Sequence, residues 1–187
     1  NRRLRSPPAA SGRLAAPSST SPSCRSRLVR EGRPLCYPRP IPRRRPQFVV
    51  LDTETTGLDP HRDRVIDIGA VRLDAELRVT ARFATLVDPG IPVPLFVTRL
   101  TGITDADLRD APDAAEALSG LREFAGDAVL VGHNAAFDRE HLQAAALRAR
   151  VAPLAADWFD TLEAALLLYP ELDRHALPIL VEELGLS

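Results

Sequence analysis

The chain has 187 residues, 45% of them hydrophobic, which suits one soluble domain with a true core and room for a tail. No apolar stretch approaches the roughly 18–20 residues that cross a bilayer, so a membrane protein is not expected. The near-zero net charge hides an asymmetry: residues 1–46 carry 12 Arg against one acid, Glu31, while residues 47–187 carry 12 Arg against 24 acids.

Residues 1–46 are rich in Arg, Pro and Ser and poor in large apolar side chains. Such a segment cannot bury enough surface to offset its chain entropy, so a disordered tail is expected. A linker or misassigned start is preferred over a basic nucleic-acid arm or a transit peptide. Both cysteines, Cys24 and Cys36, lie here at a spacing that fits no metal pattern, and reduced thiols in a cytoplasmic protein are expected.

From Gln47 the element types alternate. FVVLDTET reads as a buried strand that turns acidic, and RVIDIGAVRLD (64–74) as a central strand apolar on both faces. RVTARFATLV (78–87) places Val79, Ala81, Phe83, Thr85 and Val87 on one face at period two. Short connections make these an antiparallel meander. DPGIPVPLFVTRLTGIT reads as a Pro/Gly-rich loop, and Thr104 with Asp107 as a helix start. Residues 112–125 read as a helix stopped by Gly126. A short strand at Val129–Val131 precedes a helix from Ala135 to Arg150, with Asn134 as its expected cap. Trp158–Thr161 reads as a last short strand. Leu162, Ala165, Leu166 and Tyr169, then Leu177, Leu180, Val181 and Leu184, follow helical spacing. The expected fold is α/β, a mixed sheet of three antiparallel strands and then parallel strands, covered by helices.

Asp52 and Glu54 stand two apart on a strand and therefore share a face, with Thr53 on the other. Two carboxylates so close repel unless a proton or a cation intervenes. Asp138 lies in the first turns of the helix after Val129–Val131. If that strand runs parallel beside the first, Asp138 approaches the other two. Three converging carboxylates with no Lys call for hard divalent cations, Mg²⁺ or Mn²⁺. A pair of such ions can activate a water and stabilise the leaving oxygen of a phosphodiester.

DTETTG after an apolar strand, with HNAAFD after another, resembles the first two motifs of the DnaQ-like DEDD 3′–5′ exonucleases. IDIGAVRL, PLFVTRLTGIT and FDTLEAALLLYP also resemble segments of that family, which includes the proofreading epsilon subunit of bacterial DNA polymerase III. The resemblance covers residues 47–187 and implies an RNase H-like fold and two-metal removal of nucleotides from single-stranded or frayed 3′ ends of DNA. It implies metal ligation by Asp52, Glu54 and Asp138, the catalytic acids. It also implies contacts of Thr55, Thr56, Gly57, Asn134 and Phe137 with the terminal nucleotide. A DNA polymerase, or a fused helicase or repair module, is the implied partner.

The family's third motif, a His followed five residues later by Asp, has no counterpart before Ser187. His133 and Asp138 have that spacing but sit too early in the chain. Tyr169 and Asp173 have the spacing of the tyrosine subfamily, but Pro170 is expected to end the helix there. His61 is expected to be solvated, His141 to be a packing or surface residue, and His175 to precede the last helix. A domain lacking its final helix, with impaired turnover, is therefore expected. The competing reading is a non-catalytic nucleic-acid or polymerase-binding module with the same fold.

Overall fold

The computed structural model describes residues 47–186. The expectations for residues 1–46, including the tail's disorder and the two cysteines, lie outside the described residues. Within them run β1 (Phe48–Thr55), β2 (Val65–Leu73), β3 (Val79–Leu86), α1 (Leu95–Thr101), α2 (Asp105–Leu108), α3 (Ala114–Ala125), β4 (Val129–Gly132), α4 (Ala135–Ala149), β5 (Trp158–Asp160), α5 (Thr161–Leu168) and α6 (Leu177–Glu183). The strands form one sheet in the order β3-β2-β1-β4-β5. β1–β2 and β2–β3 are antiparallel, and β4 lies parallel to both β1 and β5. The expected meander and the expected parallel placement of β4 are both present.

Burial alternates along β1, as period two requires. Val49, Leu51 and Thr53 are buried, while Val50 and Asp52 are exposed. The buried face meets Ala117, Leu118 and Leu121 of α3 and Leu142, Ala145 and Ala146 of α4 in one apolar core. The opposite face carries Val50, Asp52, Gly69, Val71, Arg82, Ala84 and Val131 along an open cavity that Thr161 and Leu177 also line. Asp52 thus stands on the face that α3 and α4 leave free.

Helix ends follow side-chain chemistry. Asp113 accepts from the Glu116 amide to start α3, and Gly126 ends it at φ 52°. Thr104 and Asp107 form the reciprocal capping box that starts α2. The stretch read as a Pro/Gly loop contains α1 instead. Pro94 stands just before its first residue and Gly102, at φ 81°, just after its last. Those residues punctuate a helix rather than exclude one. Val97 secures it by packing with Ile66, Val93 and Leu108 in a second apolar cluster.

α5 stops at Leu168 ahead of Pro170, as expected. The apolar stripes of the last two helices are less covered than their spacing suggests. Among the described residues only Ala165 and Leu180 are buried there, while Leu177 and Val181 stay exposed. No described helix is long and apolar enough to cross a membrane.

Leu121 is fully buried between α3 and the sheet. Leu121→Ala is expected to destabilise the fold by about 2–5 kcal/mol, measured by urea unfolding with an unchanged denaturant slope.

Candidate active site

β4 pairs with β1 only as far as Val50, opposite Val131, because the chain leaves the sheet at Gly132 to begin α4. The edge of β1 beyond that point has no strand beside it. Asp138 takes the strand's place. Its Oδ1 accepts both the Thr53 backbone N–H at 3.0 Å and the Thr53 hydroxyl at 2.7 Å. Thr53 is the residue between Asp52 and Glu54, and of those two acids it is Asp52 whose charge acts on Asp138.

Their electrostatics agree with that placement. Asp138 is buried, and burial pushes its carboxyl up to about 6; the Thr53 bonds oppose the rise and the Asp52 charge adds to it. Burial also raises Glu54, assisted by Asp52 and then Asp67. Asp67 stands directly across the ladder from Glu54 and is raised by its own burial and by Asp52. Among the described residues none of these four acids has an Arg or His within ion-pair distance. No three acid, His or Cys side chains there form a ready cage for an ion. The donor set is nonetheless all carboxylate, which suits a hard cation. Mg²⁺ commonly takes one or two carboxylates and completes its shell with water and substrate phosphate.

The other expected site residues lie at the end of β1, in the loop after it and at the start of α4. Thr55 and Thr56 are buried, and their hydroxyls serve the loop itself. Thr55 donates to the Gly57 carbonyl, and Thr56 accepts from the Arg64 amide. Gly57 approaches the Asp63 carboxylate so closely that a Cβ would lie 2.4 Å from its Oδ2. Asp63 in turn accepts from the Asp59 amide, which closes the turn. Phe137 packs on His141, with ring centroids 4.2 Å apart.

Asn134 does not cap α4. It adopts the left-handed conformation at φ 67°, ψ 48° and makes no capping bond with its side chain. The cap comes from Asp160 at the end of β5, whose carboxylate accepts from the Asn134 and Ala135 amides at 3.0 and 2.8 Å.

The histidines fall as follows. His133 lines the open cavity together with Asp52. His61 is exposed, as expected. His141 is a packing residue; its Nδ1 donates to the Phe137 carbonyl and its buried Nε2 has no partner among the described residues. His175 precedes α6 and contacts the Tyr169 carbonyl.

The exonuclease family model RNase_T matches residues 49–187. The chain belongs to this exonuclease family, in its DnaQ-like branch. Among its relatives is the PolC-type DNA polymerase III of Latilactobacillus sakei subsp. sakei (strain 23K), 38% identical over 157 residues, or 83% of this chain and 11% of that protein. The PolC-type DNA polymerase III of Caldanaerobacter subterraneus subsp. tengcongensis is 40% identical over 136 residues, covering 73% of this chain and 10% of that one. The exonuclease domain here thus spans about a tenth of the length of these relatives. Solved structures that share its fold include the following two. Exonuclease X in complex with 5′ overhanging duplex DNA has a TM-score of 0.62 at 23% identity, covering 75% of this chain and 74% of that one. Product-bound exonuclease I has a TM-score of 0.67 at 22% identity, covering 77% and 39%. The RNase H-like mixed sheet expected from the motifs is the fold observed.

Three residues of interest escaped the motif reading. Asp67 was visible only as an acid inside an apolar strand. Leu58, 85% exposed beside Gly57, looked like an ordinary loop residue. Asp160 is marked locally only as the start of α5; its action on amides 25 and 26 residues away gave no signal.

The raised carboxyl of Asp138 has a consequence for stability. Below about pH 4 this group is protonated in both the folded and unfolded chain. Between about 4 and 6 only the folded chain retains the proton, so stability falls as pH rises through that window and is flat above it. Asp138→Asn keeps an oxygen for both Thr53 bonds and removes the buried charge. In metal-free buffer at pH 7.5 the variant is expected to be more stable than the parent by about 1–3 kcal/mol, the gap closing near pH 4. Urea unfolding at the two pH values checks this; a variant less stable at pH 7.5 contradicts it.

Proposed function

We propose that this exonuclease domain removes nucleotides in the 3′–5′ direction from single-stranded or frayed 3′ ends of DNA, using Mg²⁺ or Mn²⁺ held by Asp52, Glu54 and Asp138. The observation that supports the proposal is the pair of bonds that the Thr53 amide and hydroxyl donate to Asp138, with the Asp52 charge acting on both Asp138 and Glu54. The ions, when bound, would supply an activated water and neutralise the leaving oxygen of the phosphodiester. The chain's own residues supply the rest. Asp52 and Glu54 offer oxygens from the open face, and Asp138 keeps its Oδ2 clear of the Thr53 bonds. The loop at Thr55–Gly57, stiffened by its internal bonds, presents backbone to the terminal nucleotide, with exposed Leu58 as an apolar surface for a base. Asn134 and Phe137 flank the same end of α4.

The acid excess of residues 47–187 repels a polyanion. Affinity therefore rests on the ions and on local contacts, which favours capture of a loose end over tight duplex binding. The PolC-type relatives support work beside a DNA polymerase, as in proofreading; a helicase or repair setting is the alternative. A second reading, binding without turnover, draws support from the histidines: among the described residues none is bonded to the acid cluster. Loss of a general base typically slows such chemistry by about 10²–10⁴. Slow turnover is expected for this chain rather than none.

With a 3′-labelled single strand, Mg²⁺ should elicit slow release of nucleoside monophosphates from the 3′ end. EDTA, Asp52→Asn or Glu54→Gln should each reduce release to background, a loss of at least about 10²-fold. Release that survives EDTA and both substitutions, or that starts from the 5′ end, contradicts the proposal. Metal-dependent strand binding with no release favours the second reading.

A further inference from the structure

The β4–α4 junction carries both Asp138 and His133, and it is held from outside by two consecutive residues of FDTL. The parallel register sets Asp160 level with Gly132, the last residue of β4. From there the Asp160 carboxylate accepts three amides: Asn134 and Leu162 at Oδ1, and Ala135 at Oδ2. One side chain thus starts two helices, its own α5 and the neighbouring α4. It also bonds the amide of Asn134, which stands in the left-handed conformation that Asn tolerates better than most non-glycine residues.

Thr161 acts on the same turn. Its hydroxyl donates to the Gly132 carbonyl at 3.1 Å and lies 3.1 Å from His133 Nδ1. With the hydroxyl proton directed at Gly132, the bond to His133 requires Nδ1–H as donor. The neutral ring then keeps its lone pair on Nε2. Little slack remains inside the turn. A Cβ on Gly132 would lie 3.1 Å from Ala135 and 3.4 Å from Asp138 Oδ2, so a tilt of α4 against β4 moves Asp138 directly.

We propose that Asp160 and Thr161 are positioning residues that together lock the β4–α4 junction, setting where Asp138 stands and which nitrogen of His133 carries the proton. The effect on ion binding rests on the reading of Asp52, Glu54 and Asp138 as a metal site; the lock itself does not. Neither residue needs to touch substrate. Outer partners of this kind commonly change metal affinity by about 10–100-fold when removed.

The test uses the full 187-residue chain at pH 8. Long-range ¹H–¹⁵N correlation reads the His133 tautomer, amide exchange reads Thr53 and Ala135, and free-ion EPR reads Mn²⁺ affinity. Thr161→Val should move the His133 proton from Nδ1 toward Nε2, and Thr161→Ser should restore the parent signal. Asp160→Asn should speed exchange at Thr53 and Ala135 at least about tenfold and weaken Mn²⁺ binding about 10–100-fold. Parent-like tautomer in Thr161→Val, or parent-like exchange in a folded Asp160→Asn, overturns the lock. If Asp160→Asn does not fold, the two Thr161 variants decide it. A parent chain that binds no Mn²⁺ removes the metal reading alone, and the tautomer and exchange results still decide the lock.

Discussion

The site depends on a strand that ends too soon. β4 leaves the sheet at Gly132, and the N–H of Thr53 on β1 would face an empty edge. A buried amide without a partner costs on the order of 1–3 kcal/mol, so something must accept its proton. Asp138 does, with a charged oxygen that takes the Thr53 hydroxyl as well. A structural need of the sheet is met by a carboxylate, and that carboxylate is thereby brought beside two others.

The arrangement is electrostatically unfavourable by itself. Glu54, Asp67 and Asp138 are all shifted upward, by burial first and then by the charge of Asp52. The Thr53 bonds offset part of the cost of burying Asp138, but its charge remains disfavoured beside acids that lack basic partners. A centre that recruits a cation, by contrast, needs this unrelieved charge. The open face of the sheet leaves Asp52 exposed along a cavity, while the closed face carries the apolar core.

Much of this was legible from periodicity. The alternation in FVVLDTET placed Asp52 and Glu54 together and Thr53 opposite, and the meander followed from short connections. Asp138 came within reach once β4 was taken as parallel to β1. What escaped involved competition or distance. Pro94 and Gly102 suggested a loop because a seven-residue helix offers too little periodicity to outweigh them. Asn134 has the residue type of a cap, but Asn also tolerates the left-handed conformation, and here that preference prevailed because Asp160 supplies the acceptor. The Thr55 and Thr56 hydroxyls look available in sequence, yet they are taken up in the loop's own turn.

The central claim is that Asp52, Glu54 and Asp138 act as one cation-binding centre. A crystal of the chain grown with Mn²⁺ and a short single strand, analysed by anomalous scattering at the manganese edge, addresses it most directly. The account predicts a peak at the C-terminal end of β1, bonded to Asp52 with Glu54 or Asp138 and to a phosphate oxygen. An ordered strand with no manganese at those carboxylates, or with the ion bound elsewhere on the chain, would contradict it.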